Sequence, residues 1–526
     1  MKAMRYLSFI ICHLSFSVAL FCVALTSCDD WLTVHPEDDI VDDDYWTNGD
    51  QVQSVVTSCY RWLATSDCLE RMMVWGELRS DNVEAGSGAS TEERNIMDVN
   101  VLSSNYLSSW DCFYKVINIC NNVIQKAPRA MQTDANYRED EMQANVAEAT
   151  ALRALCYFYL IRTFGDVPYV TEPSASESTD YNQPQSCADD VIIPALTADL
   201  ESIIPMARSA WSTTRQTKGR ITRNAVRALL ADIYLWAGQY EACIATCDAI
   251  LNDPTSNLKL VDGEHYINKV FYEGLSDESI FELVYETNAL TSTTIQSKYG
   301  NPTQNLSAHA VATMLLYNEA FTYNPEMTDT VADLRGISSM VWSTGNHPIF
   351  KYTGQTPGTF SNYRQASAYT YRNATSQASW IVYRLSEVYL MKAEALACLA
   401  NTQTQVDQVA TLCNMVYRRA TMGLDSLDHS LFSIGQASRN IVLQERRREL
   451  CFEGKRWYDL LRRIRQDGAV DYALQLMGSR YSSDKDASLK TTKLRHAGAW
   501  YMPIYADQMS INKKLHQNEY YQAQEQ

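Results

Sequence analysis

The chain has 526 residues, and its 62 acidic against 45 basic side chains give a formal net charge of −17 at pH 7. This charge excludes a nucleic-acid binder that relies on overall positive charge. With 46% hydrophobic and 20% charged residues, the composition is that of a folded globular protein and excludes a disordered chain.

The first predicted element is a secretory signal. Residues 1–27 carry Lys2 and Arg5 as their only charged side chains, followed by an apolar run from Leu7 to Leu25. The run ends in Leu-Thr-Ser-Cys, which matches a bacterial lipobox, so we predict a signal peptide over 1–27 and lipidation of Cys28. The alternative is a retained transmembrane helix with an incidental cysteine. Acidic residues follow Cys28 directly and no second long apolar segment exists, which favours the lipid anchor and leaves a mature charge of −19.

The remaining cysteines predict buried thiols. Of the 14 in the chain, Cys12 and Cys22 leave with the signal and Cys28 would be lipidated, so eleven are left, an odd number that argues against a disulfide framework. Cys243 and Cys247 share a predicted helix, but no second Cys/His pair lies near enough in sequence to complete a metal site. We therefore expect no metal and no cofactor.

The mature chain opens with an acidic stretch, residues 28–50, which we predict to be an extended tether. Helical periodicity dominates from residue 51. One stripe, from Leu152 to Leu160, stops at a Gly-Asp-Val-Pro turn that begins at Gly165. Segments 108–127 and 141–164 are candidates for a further helical pair.

Two helical hairpins are predicted more strongly. The stripe from Ala225 to Tyr240 is broken at Gly238 and followed by a short helix that ends at Asp253, and its small residues and tyrosines follow tetratricopeptide spacing. A stripe from Val382 to Leu396 is followed by a partner helix over 406–420. The fold class is therefore mainly α, built of tetratricopeptide-like helical hairpins.

Residues 287–379 interrupt this pattern. Ser, Thr, Asn, Gly and Pro dominate, tyrosines are scattered through them, and short runs at 280–285 and 349–352 are candidate strands. A long segment without helical pattern inside a helical protein indicates a functional elaboration. We predict that this loop-rich, partly β elaboration forms the ligand-binding part.

Catalytic motifs are missing from the sequence. The eight histidines are isolated from one another, and there is no HExxH, G-x-S-x-G, P-loop or G-x-G-x-x-G. A pair of carboxylates brought together by folding would still permit glycoside hydrolysis and leaves no sequence signature. We therefore expect that the protein is not an enzyme. The remaining alternative is a surface glycoside hydrolase.

Rings with a polar edge suggest a binding site instead. The 32 tyrosines and 11 tryptophans far outnumber the 13 phenylalanines, and such rings can cover the C–H face of a sugar while polar side chains bind its hydroxyls. One segment combines these groups ahead of a Gly/Ser loop, and two further rings lie in the polar loops. The candidate ligand contacts are Trp75, Arg79, Asp81, Asn82, Tyr299 and Trp342. The alternative for each ring is core packing.

The densest charge motif runs from Glu445 to Arg462. Its spacing predicts three helical ion pairs, and one apolar side of the motif is expected to face a core. The predicted pairs are Glu445–Arg448, Glu453–Arg456 and Asp459–Arg462, and the predicted core residues are Trp457, Leu460, Leu461 and Ile464. Acids interleave with the arginines, which favours a structural clamp over a phosphate site.

The same motif resembles the C-terminal signature of the SusD/RagB family. Other segments agree with the family in type and order: CDDWL from Cys28, YFYLIRTFGDVP over 157–168, YRLSEVYL over 383–390 and WYMPI over 500–504. The resemblance covers nearly the whole mature chain.

This resemblance implies a surface-exposed, lipid-anchored protein of the cell outer membrane that binds nutrient oligosaccharide, without catalysis. Its implied partner is a SusC-like TonB-dependent transporter, which it would cap as a lid. A peptide ligand in the same transporter-associated role is the alternative. The implied division is a helical region over 51–260 and a C-terminal region over 261–526 that contains the insertion 287–379. Site residues vary within the family, so only Cys28 is carried over by motif.

Overall fold

A computed structural model describes residues 45–174, 182–285, 292–313, 316, 333–340, 347–356, 369–373, 377–480 and 486–525. The predicted signal peptide, Cys28, most of the tether and Trp342 lie outside these residues, as does much of the insertion 287–379. Residues Asn48–Gln526 form one compact unit. Among the described helices we find no candidate for a membrane-spanning segment.

The compact unit consists mainly of helices, as predicted. Those of the first half are α1 Gly49–Leu63, α2 Ser66–Met73, α3 Thr91–Met97, α4 Asp111–Thr133, α5 Glu139–Phe164, α6 Ile193–Ile203, α7 Thr214–Gly219, α8 Arg223–Trp236 and α9 Tyr240–Leu251. Those of the second half are α10 Thr294–Tyr299, α11 Leu334–Ser339, α12 Leu385–Leu399, α13 Gln403–Ala420, α14 Gln436–Leu450, α15 Arg456–Asp467, α16 Val470–Arg480, α17 Ala487–Leu494, α18 Ala506–Ile511 and α19 Glu519–Glu525.

The strands are short and form two-stranded antiparallel pairs. They are β1 Val83–Ala85 with β5 Ala310–Ala312, β2 Val167–Pro168 with β3 Gln185–Ser186, β4 Ser279–Leu283 with β8 Trp380–Arg384, and β6 Gly354–Gln355 with β7 Thr370–Tyr371. The sequence prediction of a strand near 280–285 is confirmed by β4. The prediction at 349–352 is wrong, because only Ile349 forms an isolated bridge, with Met340, and the next residues turn.

The helical hairpins follow the predicted stripes. Helices α4 and α5, α8 and α9, and α12 and α13 pack in pairs, and α12 and α13 bury a core that includes Leu390, Val409 and Cys413. Helix α13 begins with a capping box, in which the Thr402 side chain accepts from the backbone N–H of Gln405. One boundary differs from the prediction, since Val382 belongs to β8 and α12 begins only at Leu385.

The strand pair β4–β8 lies in the interior. Every residue of both strands is buried, so both faces of this pair are covered by the rest of the protein. The register places Phe281 opposite Tyr383 and Leu283 opposite Trp380. Helix α12 follows β8 without a loop, so the pair positions the start of the α12–α13 hairpin.

A buried network of charges surrounds the end of β8. Arg384, which is fully buried, donates from Nη1 to Glu278 at 2.6 Å and from Nε to Glu453 at 2.8 Å, and it also binds Glu449. Arg335 donates to Glu449 at 2.9 Å. Burial alone would raise the pKa of Glu449, but the neighbouring arginines lower it well below its usual range.

The charge motif of α14 and α15 forms two of the three predicted ion pairs. Arg448 binds Glu445 at 2.7 Å and Arg462 binds Asp459 at 2.8 Å. The predicted Glu453–Arg456 pair is wrong, because Glu453 lies in the turn before α15 and not on a continuous helix. Arg456 instead binds Asp81, at 2.7 Å. Trp457, Leu460 and Leu461 are buried as predicted, whereas Ile464 is only half-buried.

The eleven cysteines that the structure describes are all free thiols. Nine are buried, as predicted, and Cys187 and Cys398 are partly exposed. Among the described residues, no group of three His, Cys, Asp or Glu side chains is arranged to hold a metal ion.

A close backbone contact joins the first half of the chain to the second. A Cβ atom on Gly76 would lie 1.9 Å from the carbonyl oxygen of Gly454, in the turn between α14 and α15. We predict that Gly76→Ala destabilises the protein by about 3 kcal/mol, because backbone must shift to relieve the overlap. Denaturant-induced unfolding measures this change.

Gly478→Ala is the matched control. It lies in helix α16, and its added Cβ would have its closest contact at 3.7 Å. This variant should gain up to about 1 kcal/mol from helix propensity. Equal stability changes in the two variants would contradict the proposed contact.

Candidate functional site

The structure places the ring and the guanidinium group of the predicted ligand-binding segment, Trp75 and Arg79, in the interior. Trp75 is 1% exposed, stacks on Phe113 with ring centroids 5.1 Å apart, and donates from Nε1 to the carbonyl of Leu107 at 2.8 Å. Arg79 donates to the carbonyl oxygens of Trp500 and Ala499 at 2.8 and 2.6 Å. These contacts support the core-packing alternative for both side chains.

The acid and the amide of the same segment bind the charge motif. Asp81 accepts from Arg456 at 2.7 Å and pairs with Arg447 at 3.2 Å, and Asn82 accepts from Nε of Arg447 at 3.0 Å. Burial would raise the pKa of Asp81, but the two guanidinium groups lower it well below its usual range. The segment is therefore a structural link to α14 and α15.

Glu77 is part of the same link, but its pKa is raised, whereas that of Asp81 is lowered. It accepts from Asn82 at 2.9 Å and from the backbone N–H of Gly454 at 3.0 Å. Burial raises the pKa of Glu77 to about 7, against which these hydrogen bonds act only in part.

Tyr299, the predicted ring in the polar loops, is also buried. It is 1% exposed and donates from its hydroxyl to the carbonyl of Phe452 at 2.8 Å. Trp342 lies outside the described residues. Ligand contact by the six predicted residues stays a prediction, and the interior contacts of the five described ones do not favour it.

The structure nevertheless brings the Trp75–Asn82 segment and the loop-rich part together. Strand β1 follows the Trp75–Asn82 segment directly and pairs with β5, from the loop-rich part, with Glu84 opposite Val311. The Gly/Ser loop after β1 packs against 307–309, where a Cβ on Gly86 would lie 2.2 Å from the carbonyl oxygen of Ala308. Only glycine permits this approach, so the loop sequence is explained by a backbone contact.

Charged side chains cross-link this junction. Lys298, on α10, binds the Glu93 carboxylate of α3 at 2.5 Å and also binds Glu70 of α2. His309 binds the same Glu93 carboxylate through Nδ1 at 2.7 Å. Burial would raise the pKa of Glu93, but His309 and Lys298 outweigh it and lower the pKa to about 2. Glu93 is thus a charged centre that holds both segments.

An exposed ring stands beside this cluster. Tyr106 is 43% exposed, although its backbone carbonyl is fixed by Nη2 of Arg71 at 3.1 Å. Burial of the rest of the ring, followed by the nearby carboxylate of Glu70, raises the pKa of Tyr106, and Glu92 and Glu93 add to the shift. The ring therefore lies within electrostatic reach of these acids.

We call the surface formed by Tyr106, Glu70, Glu92, Ser297 and His309 the junction face. It offers one ring and several polar groups, the combination that the sequence led us to expect in other residues. The sequence did not identify Tyr106, because its neighbours do not distinguish it from the other tyrosines. Its place on the surface depends on contacts between segments far apart in the chain.

Two residues of the junction face, Ser297 and His309, lie in series with the buried carboxylate of Glu93 beneath them. Because Glu93 accepts from Nδ1 of His309, Nε2 is the nitrogen that faces the Ser297 hydroxyl, at 3.5 Å. In a hydrolytic triad the carboxylate stabilises the imidazolium. Here the Lys298 ammonium already compensates the charge of Glu93, so we interpret the series as a cross-link of the fold.

Comparison with known families matches both halves of the chain. A family model described as the SusD family matches residues 278–521, and a model described as "Starch-binding associating with outer membrane" matches residues 30–235. Among curated relatives, SusD-like protein P38 of Formosa agariphila is 23% identical over 96% of this chain and 98% of the relative.

Solved structures share the fold. A SusD superfamily protein from Bacteroides vulgatus superposes with a TM-score of 0.71 at 18% identity, covering 90% of this chain and 100% of that one. A SusD homolog from Bacteroides thetaiotaomicron has a TM-score of 0.69 at 20% identity, with 91% and 99% covered. The helical fold predicted from the sequence is therefore confirmed.

The junction has a testable pH dependence. Because the pKa of Glu93 falls from its usual 4.5 to about 2 on folding, its stabilisation is full above pH 4.5 and is lost as the pH falls toward 2. We predict that Glu93→Gln costs about 2 kcal/mol at pH 7 and progressively less below pH 4.5. Unfolding free energies measured from pH 7 to pH 2 give this difference.

Glu92→Gln is the control for this measurement. It changes the neighbouring carboxyl group, which is only half-buried and carries no hydrogen bond or ion pair in the described structure. Its effect should be small and flat with pH. A pH-independent cost for Glu93→Gln would contradict the assigned role.

Proposed function

Because the chain belongs to the SusD/RagB family, we propose that it is a surface-exposed outer-membrane lipoprotein that binds nutrient oligosaccharide for a SusC-like TonB-dependent transporter. The observation that carries this proposal is the match of family models to both halves of the chain, over 30–235 and 278–521. SusD-like proteins are binding proteins, which fits a role without catalysis.

The ligand would bind at the junction face. A sugar ring has an apolar C–H face and hydroxyl edges, so it needs one accessible aromatic ring and acceptors around it. Tyr106 supplies the ring, and Glu70 and Glu92 supply acceptors nearby. The cross-linked base of Glu93, Lys298 and His309 would hold these groups in place before the ligand arrives, which lowers the entropic cost of binding.

The protein would then act only by capturing and releasing its ligand. The protein would hold the oligosaccharide and cover the transporter barrel as a lid, and no bond in the ligand would be broken. The description of the N-terminal family model names starch, which makes α-glucan oligosaccharides the first ligands to test.

The anchor completes the proposal. We propose that Cys28 is the first residue of the mature chain and carries the acyl chains, with residues 29–47 as a tether. The sequence prediction extended the tether to residue 50, but Asn48 caps α1 and the helix begins at Gly49, so the compact unit starts earlier. More than one acyl chain is needed for stable anchoring, since a single chain gives only marginal membrane binding.

Glycan binding is tested at the exposed ring. We predict that Tyr106→Ala weakens binding of the best ligand from an oligosaccharide panel about fivefold or more, which corresponds to loss of roughly 1 kcal/mol of ring contact. Isothermal titration calorimetry measures the change.

Trp62→Ala is the matched control, because Trp62 is also 43% exposed but lies on α1 against Lys115. It should bind as the unaltered protein does. Heat from peptide mixtures and none from any oligosaccharide would replace the glycan ligand by a peptide. Turnover of a chromogenic glycoside that disappears on substitution of one carboxylate would overturn the role without catalysis.

The anchor is tested by fractionation. We predict that Cys28→Ala moves the protein from the membrane fraction to the soluble fraction, because the acylated side chain is lost. Cys398→Ala, which removes a partly exposed thiol of α12, should leave the membrane fraction unchanged. Retention of the Cys28→Ala variant in the membrane would rule out the lipid anchor.

A further inference from the structure

A cleft separate from the junction face runs along the side of the first three turns of α4. It has a volume of about 390 Å³ and lies between α4, the segment 168–174 and the C-terminal residues 508–515. This volume falls at the small end of the range for ligand pockets. None of the described residues that line the cleft belongs to the junction face.

The floor of the cleft is apolar and aromatic. Trp110 and Tyr114 lie one helical turn apart with ring centroids 5.7 Å apart, and Ile117 and Leu515 extend the apolar surface. The hydroxyl of Tyr114 donates to the carbonyl of Pro168 at 2.7 Å, which fixes the ring. The floor is therefore preformed, and no ligand is needed to arrange these rings.

The charged groups of the cleft have one sign. Asp111 and Glu172 both line it, whereas no Lys, Arg or His side chain among the described residues does. Both carboxylates belong to exposed residues. Asp111 accepts from the Ser109 hydroxyl and Glu172 accepts from Nε2 of Gln125, each at 2.9 Å, and a carboxylate has further lone pairs for a donor in the cleft. A cleft of this kind repels an anionic ligand and attracts a cation.

One buried acceptor in the wall has no partner. Gln508 is 7% exposed, and its Nε2 donates to Asp111 at 2.9 Å and to the Ser109 hydroxyl at 3.2 Å. An ionised carboxylate can only accept, so this contact fixes the amide orientation and leaves Oε1 facing away from Asp111. Oε1 makes no hydrogen bond in the described structure. A buried acceptor without a donor is costly, and a donor in the cleft would remove that cost.

We propose that this cleft binds a ligand that carries a primary ammonium group on an apolar carbon skeleton. The ammonium group donates to Asp111 and Glu172, and its charge is attracted by the rings of Trp110 and Tyr114. Its third donor would meet Oε1 of Gln508 after a small turn of that side chain, because Oε1 has no accessible surface in the cleft. The skeleton covers the apolar floor. Two sources offer this chemistry, a sugar unit with a free amine and a lysine side chain.

The test compares two pairs of probes, and the members of each pair differ only in whether the amine is free or acetylated. Calorimetry on the full-length protein in detergent at pH 6 uses the glucosamine disaccharide with free amines and its N,N′-diacetyl form. It also uses Nα-acetyl-lysine methylamide and the form acetylated at Nε. We expect at least one amine probe to bind, with its acetylated form at least about tenfold weaker, because acetylation removes the charge. The probe that binds identifies the source.

Two variants locate the binding. Asp111→Asn should weaken the amine probe about tenfold or more, since a charge-assisted hydrogen bond is replaced by a neutral one. Glu172→Lys should abolish binding by repulsion, and because Glu172 is exposed this variant keeps the test valid if Asp111→Asn folds poorly. Asp407→Asn, an exposed position on α13, is the control and should not change binding.

Three results would overturn the proposal: equal binding of acetylated and free amines, no heat from any probe, or undiminished binding by Glu172→Lys. Failure of oligosaccharide binding at Tyr106 would leave this cleft unaffected, because the two sites share no residue. The two proposals therefore fail separately.

Discussion

The rest of the structure depends on the need to pair the buried charges of α14 and α15. A charge removed from water costs several kcal/mol unless an opposite charge and hydrogen bonds compensate it. Arg384 meets that need by binding Glu278, Glu449 and Glu453, and Asp81 meets it for Arg456. Strand β8, the segment before β1 and the loop-rich part are thereby drawn to one centre. This network holds together parts of the chain that are hundreds of residues apart.

The same constraint explains why a combination of residues that suits a sugar became part of the interior. A ring, a guanidinium, a carboxylate and an amide in Trp75–Asn82 are also the groups that satisfy buried arginines and carbonyls. Their hydrogen bonds to Trp500, Arg447 and Arg456 use the polar atoms that a ligand would need. The accessible ring at Tyr106 lies further along the chain, on the junction face, whose base is the cluster of Glu93, Lys298 and His309. Interior and surface roles are thus separated within about thirty residues of chain.

The sequence predicts local features of this fold well and long-range ones poorly, for a physical reason. Helical hairpins such as α8–α9 and α12–α13 follow from periodicity within each segment, and the buried thiols follow from their place on apolar stripes. The Glu453–Arg456 pair was wrong because helical spacing was assumed across a turn, and exposure of Tyr106 depends on residues from distant segments. The β1–β5 pairing likewise joins residues more than two hundred positions apart. Periodicity carries no information on such contacts.

The free cysteines have a consequence for how the chain reaches its folded state. Burial raises the pKa of the Cys156 thiol well above its usual value, and burial raises that of Cys451 to about 12. The thiolate that would attack an oxidant or a disulfide is therefore scarce in the folded protein, and oxidation is slow. The unfolded chain has no such protection. In the oxidising compartment that the proposed function requires, folding must outpace thiol oxidation, and a variant that folds slowly would be lost to wrong disulfides before it lost any ligand contact.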